Sequence, residues 1–359
     1  MKILFLVPYP LKESPSQRFR FEQYFKLLGQ NSIDYHVQSF LESANWKIFF
    51  EKGKWLSKVW ALAMGFSKRI SILLKISNFD YIFIHREAAP VGPPVIEWVI
   101  AMLYRKRIIY DFDDAIWLTD RSNESIIWQI LKWRKKVKSI CRWSHKVSCG
   151  NNYLCNFAKQ INNNVVLNPT TIDTDGLHNI KRYNQTKPSK VPLLIGWTGS
   201  HSTLKYLTEI ESILARLENQ FSEFEFWVIA DRPPGMKLRS LRFKPWSLET
   251  EISDLAQIDI GIMPLPDDEW AKGKCGFKAL QCMALEIPTI VSQVGVNCEI
   301  IQHEVNGFFA SNSDEWMTYL EKLILDKELR EKIGIKGRET VIDHYSVASN
   351  SSTFLSLFE

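Results

Sequence analysis

The sequence predicts an α/β protein built from two doubly wound parallel sheets, each covered by helices. Three observations carry that prediction. Short runs rich in Ile, Val and Phe alternate with longer stretches of helical period along the whole chain, as buried parallel strands do between crossover helices. A polar stretch from Pro169 to Pro192, with three prolines and no sustained hydrophobic period, interrupts the alternation near its middle. The 359 residues also exceed the roughly 100–200 of one ordinary domain, so two cores are expected. The expected division is a first domain over 1–170, a linker over 171–191, a second domain over 192–345, and a C-terminal helix over 346–359 packing back on the first.

The strands follow in order. The start MKILFLVPYP is apolar for five residues before Pro8 and lacks a small-residue cleavage site, so Ile3–Val7 reads as a buried strand and not as a secretory signal. Ile33–Val37, Tyr81–His85, Arg107–Asp111, Lys146–Cys149 and Val165–Asn168 complete the first set. Leu193–Trp197, Glu225–Ala230, Arg242–Pro245, Ile258–Met263 and Thr289–Ser292 form the second. The longest other apolar stretch, from Pro94 to Tyr104, contains Glu97 and is too short for the ~20 residues of a spanning helix. Ligands of open α/β sheets bind beyond the carboxyl ends of the strands, in a cleft expected here between the two sheets. The segments following each strand are therefore the candidates for chemistry.

Composition narrows the class. With 45% apolar and 24% charged residues, collagen-like, low-complexity and disordered chains are excluded, and no fixed repeat suggests a solenoid. Six cysteines show neither a CxxC pair nor a zinc spacing, which fits reduced thiols in a cytoplasmic protein. Residues 1–187 hold 28 Lys/Arg against 15 Asp/Glu, or +13, and residues 188–359 hold 17 against 25, or −8. The halves are thus expected to face different partners, the basic one an anionic surface.

Two segments of the second half invite an anion. Gly196 to Thr203, with Gly199, Ser200 and Thr203, follows a strand and precedes a helical run, where small residues and free amides suit a diphosphate. An ordinary capped strand-to-helix turn is the other reading. Lys272 to Ala284 likewise leads from a strand into a helix, so Lys274, Lys278 and the amides after Gly276 and Phe277 can converge on one negative charge. A solvated lysine face is the alternative.

At these residues a family resemblance emerges. The run GKCGFKALQCMALEIPTIVSQVGVNCEIIQHEVNGFFA resembles the nucleotide-sugar-binding segment of glycosyltransferase family 4, with its MA-x-G-x-P-V-V-A-S and G-x-x-E-I-I-x-x-x-x-N-G elements. The opening MKILFLVPYP, the run Ile258 to Pro264 and Val166 to Thr170 agree with that family. The resemblance covers most of the chain and is strongest from about Trp197 to Ala310. It implies the GT-B fold, two Rossmann-like domains facing across a cleft with the donor on the second. It departs at the two motif glutamates, where Gly273 and Gln281 stand. Gln281 retains hydrogen bonding to a ribose hydroxyl, and Glu299 matches the later family glutamate, preceded by Gly295. The family's diphosphate-binding Arg and Lys near the first strand of the second domain are not recognisable either; Lys205 and Arg232 are the nearest substitutes, and Trp246 after Pro245 suits stacking on a base, with surface charge and rim packing as the plain readings.

The same resemblance gives the first domain the acceptor side. Arg18 and Arg20 suit an acceptor phosphate, or form a solvent-facing pair. His85, Arg86, Asp111, Asp113 and Asp114 stand at strand ends, with His85 and Asp111, together with Lys278, the candidate catalytic side chains. Asp-x-Asp within Asp111 to Asp114 also matches the metal pattern of the GT-A class. Because the donor segment lies in the second half, these carboxylates are read as acceptor-side groups, with no metal or other cofactor besides the nucleotide sugar expected.

The expectation is a cytoplasmic glycosyltransferase, peripheral at the inner face of the cell membrane, moving a sugar from a nucleotide diphosphate donor to a glycan or lipid-linked acceptor in cell-surface polysaccharide synthesis, with retention. Two basic, tryptophan-bearing stretches, Trp46 to Lys75 and Trp128 to Arg142, suit an anionic lipid surface or ordinary packing on a sheet. Nothing resembles a base-reading nucleic-acid module. The alternatives are a nucleotide-sugar epimerase and a non-catalytic glycan-binding or scaffolding subunit of the same fold.

Overall fold

The computed structural model describes residues 1–51, 53–119, 124–183 and 192–359; residues 184–191 of the expected linker lie outside them. The described chain divides into two compact units, one of Met1–Thr170, Gly273–Cys275 and Asn350–Glu359, the other of Thr171–Lys272 and Gly276–Ser349.

The first unit is built on a six-stranded sheet of β1 (Lys2–Val7), β2 (Asp34–Ser39), β3 (Tyr81–His85), β4 (Arg107–Phe112), β5 (Lys146–Cys149) and β6 (Val165–Leu167). All neighbours are parallel, in the order β2-β1-β3-β4-β5-β6. Residues 3–7 and 82–84 are fully buried, which explains why these strands read as unbroken apolar runs: helices cover both faces. Only the β1-to-β2 crossover runs backward across the sheet. Since such crossovers are right-handed, its helix Phe25–Gln30 lies on one face, and the later crossover helices Trp55–Leu73, Val95–Trp98 and Ile126–Lys132 share the other. The first face also takes the C-terminal helix Ser351–Ser356, where Phe354 stacks on Tyr24 at 4.2 Å and Phe358 meets Phe5 and Phe83.

The second unit repeats the plan with β7 (Leu193–Gly199), β8 (Phe224–Ala230), β9 (Leu241–Pro245), β10 (Ile260–Met263), β11 (Thr289–Ser292) and β12 (Phe308–Ala310), ordered β12-β11-β10-β7-β8-β9 and parallel throughout. The order reverses between β7 and β10, which makes the carboxyl ends of those strands the crevice of this sheet. Its core joins Ile195, Phe226, Val228, Ile260 and Ile290 of the strands to Ile210, Leu214 and Leu217 of helix Thr208–Gln220. β10 begins two residues later than expected, because Ile258 closes the preceding turn and its side chain fills the space where Gly196 has no Cβ. β12 was not anticipated.

Candidate functional site

In the first unit the ends of β3 and β4 gather a polar cluster around Asp111. Both Asp111 and His85 are fully buried, and neighbouring register places them side by side. The guanidinium of Arg20 donates to both Asp111 oxygens and to the Asn168 carbonyl, and Ser148 Oγ donates to Asp111 Oδ1 at 2.6 Å. Burial alone raises the carboxyl pKa, but Arg20 and then His85 overcome it and hold Asp111 below the usual carboxylate range. Because an ionised carboxylate only accepts, His85 Nδ1 carries a proton toward Asp111 Oδ2 at 2.8 Å. Its Nε2 then faces Ser16 Oγ at 2.7 Å, and Ser16 also reaches Asp113 Oδ1 at 3.3 Å. A continuous chain runs from Arg20 through Asp111 and His85 to the half-buried Ser16.

A second ion-pair group adjoins it. Arg86, in the left-handed region at φ 58°, bridges Asp113 at 2.7 Å and Asp114 at 2.5 Å. Lys274 Nζ donates to Asp114 at 2.8 Å, and Asn151 fixes the Lys274 carbonyl. Burial pushes the Asp114 pKa up, yet Lys274 and Arg86 bring it below its ordinary value.

These contacts revise several expectations. Arg20, expected at an acceptor phosphate, has its donors engaged inside the unit and is 1% exposed. Arg18, two residues earlier, lies over the Phe19 ring. Lys274, expected beside Lys278 at an anion, pairs with Asp114 instead. The carboxylates of the Asp-x-Asp pattern each face a cation, Asp111 with Arg20 and Asp113 with Arg86.

In the second unit the loop after β7 is tied down by short contacts. Thr203 Oγ1 donates to the Ser200 carbonyl at 3.0 Å, and His201 bonds Asp231, just beyond β8, through its backbone and ring. A Cβ at Gly199 would strike the Trp197 ring and Thr203 Oγ1. Trp197 is itself buried, Lys278 Nζ sits 4.6 Å from its ring centroid, and its Nε1 has no hydrogen-bond partner among the described residues. Gly276, at φ 68°, opens helix Phe277–Ala284 where any Cβ would collide with Ile300. Gly295, at φ 56°, lets its loop press against the Lys272 backbone, and two residues on, Asn297 Oδ1 is buried without a partner among the described residues.

Other donor-side candidates divide. Gln281 is buried, its amide reaching Glu251 at 3.3 Å and His178 at 3.4 Å, so it faces an internal network instead of an open ribose site. Glu251 and His178 were missed by sequence reasoning; neither lies in a motif, and only folding brings them to Gln281. Trp246 packs against the small cluster of Ile229, Ile252 and Ile258. Arg232 and Glu299 are exposed, and Phe277 is half-buried.

Residues 242–340, which hold Gly276, Lys278 and Gly295, match the family model for glycosyl transferases group 1. An uncharacterized glycosyltransferase of Methanocaldococcus jannaschii is 37% identical over 73 residues, 20% of this chain and 19% of that protein's length. Among solved structures, a glycosyltransferase from Rickettsia africae superposes with a TM-score of 0.68 at 16% identity, covering 99% of this chain and 97% of that one. Anabaena HepE in complex with UDP-glucose gives 0.62 at 14% identity, covering 99% of both chains. The fold is GT-B: two parallel-sheet α/β units of the kind shared by these glycosyltransferases. Among the described residues, no helix is long and apolar enough to cross a membrane.

Proposed function

We propose that the chain transfers a sugar from a nucleotide diphosphate donor, held by the second unit, to a hydroxyl of a glycan or lipid-linked acceptor presented to the first. The observation that carries this reading is the group 1 match over the segment where Gly276, Lys278 and Gly295 form a glycine-bounded helix mouth. That a fold relative holds UDP-glucose supports the donor class. The orphaned Trp197 Nε1 and Asn297 Oδ1 support a ligand at the same strand ends. A buried donor or acceptor left unpaired costs about 1–3 kcal/mol, which an arriving hydroxyl or phosphate oxygen would recover.

In this reading the bond between the anomeric carbon and the β-phosphate oxygen breaks as the acceptor oxygen bonds that carbon. Negative charge grows on the departing diphosphate, where the Lys278 ammonium and the amides of Phe277–Ala284 stabilise it. The acceptor proton leaves with the diphosphate; within the first unit, His85, oriented by Asp111, positions Ser16. Retention of anomeric configuration and a role in cell-surface glycan assembly are the family's implications.

The test is a panel of nucleotide sugars with and without glycan and polyprenyl-phosphate acceptors. Acceptor-dependent release of nucleoside diphosphate is expected, with kcat reduced at least tenfold in Lys278→Ala. An altered donor without acceptor would establish an epimerase. Cellular glycan output unchanged by Lys278→Ala, yet abolished by deletion of the gene, would establish a non-catalytic subunit.

A further inference from the structure

Helix Trp55–Leu73 buries Ala61, Gly65 and Ile72 as an ordinary surface helix would, but its outward face is apolar as well. Toward the sheet it turns Arg69, fully buried, whose guanidinium donates to the carbonyls of Val7, Gln38 and Ala88. Toward solvent it turns Trp55, Leu56, Val59, Trp60 and Ile70, with Leu74 just beyond its end. At 3.6 residues per turn these side chains occupy one half of the cylinder. Trp55 and Trp60 are 68% and 67% exposed and Leu74 is 81% exposed. Such an apolar stripe on a charged domain marks a binding surface.

Two further helices continue it. Trp98 and Leu103 are exposed on the segment after Pro94, whose carboxylate, Glu97, is turned inward to accept from Ala88 N. Ile126, Ile130 and Trp133 are exposed on the next crossover helix. All three crossovers lie on the same face of the first sheet, and the loop after β3 ties them together. Arg69 Nε donates to the Ala88 carbonyl at 2.7 Å, and Gly92 N donates to the Leu131 carbonyl at 2.7 Å. Basic residues outnumber acidic ones here: residues 54–75 and 125–143 hold eleven Lys/Arg and no Asp/Glu. Arg69 and Lys136 are buried, and Glu42, Glu51, Glu87 and Glu124 pair with Lys68, Lys54, Lys132, Lys136 and Arg134. That leaves Lys75, Lys135, Lys138 and Arg142 among the cations with no ion pair among the described residues, in a half of net charge +13.

We infer that this outer helical layer of the first unit docks on an anionic lipid bilayer, its tryptophans and aliphatics entering the headgroup boundary while the lysines face lipid phosphates. Indole rings favour that boundary, and basic residues are drawn to anionic lipid within a Debye length. The same charge disfavours a second copy of the chain as occupant, since two such faces would bring like charges together. This inference does not depend on the reaction proposed above.

The experiment is co-sedimentation of the full chain with vesicles of phosphatidylcholine alone or mixed with phosphatidylglycerol. Expected are binding to the mixed vesicles at least tenfold stronger than to the neutral ones, and an at least tenfold loss in Trp55→Ser/Trp60→Ser with an unchanged melting temperature. Ile130→Ser/Trp133→Ser, on a different helix, repeats the test if the first variant misfolds. Equal binding by the folded variants, or no preference for anionic vesicles, overturns the inference. So does a dimer in sedimentation velocity that these substitutions dissociate, because the face would then be an interface between copies.

Discussion

At Asp111 a fully buried carboxylate stays ionised because Arg20 and His85 face it, and the arrangement is sensitive to the loss of a single charge. Asp111→Asn keeps the shape but leaves the Arg20 guanidinium buried beside a neutral amide. Breaking a buried pair from one side costs about 3–5 kcal/mol, so a fall of that size in urea unfolding is expected. Ser16→Ala removes a half-buried hydroxyl at the far end of the same chain and should cost only about 1 kcal/mol. The acid side follows from the sign of the shifts. Asp111 and Asp114 both titrate below their ordinary value of about 3.9, so the unfolded chain binds more protons as the pH falls through that range. Stability contributed above about pH 4 is therefore lost on further acidification. Melting temperatures from pH 6 to pH 2.5 should show this decline, and it should be shallower in Asp111→Asn, where one of the two groups no longer titrates.

At the scale of elements, the helix mouth at Gly276 is set by backbone geometry. Gly276→Ala forces a side chain into the left-handed region, at about 1–2 kcal/mol, and drives its Cβ into Ile300. A lowered melting temperature with weakened nucleotide-sugar binding is expected by thermal shift, whereas Lys278→Ala should weaken binding with little loss of stability. Strands were legible because parallel sheets bury both faces and so write continuous apolar runs. β12 was not, since three residues between Gly307 and Ser311 show no period. The site was legible only in part: strand ends and glycines mark it in sequence, and His85 and Asp111 stand where that logic points. Partners across the fold are not written locally. Arg20 meets Asp111 across 91 positions and Lys274 meets Asp114 across 160, so lysines grouped by sequence take different partners, Lys274 a carboxylate and Lys278 an indole.

At the scale of the whole molecule, the +13 and −8 halves imply opposite responses to salt. An acidic half that takes a diphosphate must attract it locally, through Lys278 and helix amides, against a repulsive long-range field. Added salt weakens the local attraction and also screens the repulsion, since the Debye length shrinks from about 10 Å at 0.1 M to about 3 Å at 1 M. The two effects oppose one another, so donor affinity should change less than threefold between about 0.05 and 0.3 M salt. Docking of the basic helical layer on anionic vesicles is opposed far less, because the first half carries a net +13 even though Glu42, Glu51, Glu87 and Glu124 pair with some of its cations. Its affinity should fall at least tenfold over the same range. Thermal shift with UDP-glucose and co-sedimentation with phosphatidylglycerol vesicles, run on one preparation at matched salt, measure the two slopes. Parallel slopes would show that the charge division does not separate the two partners. Divergent slopes would show that one half reads a soluble anion at short range while the other is drawn to an extended anionic surface.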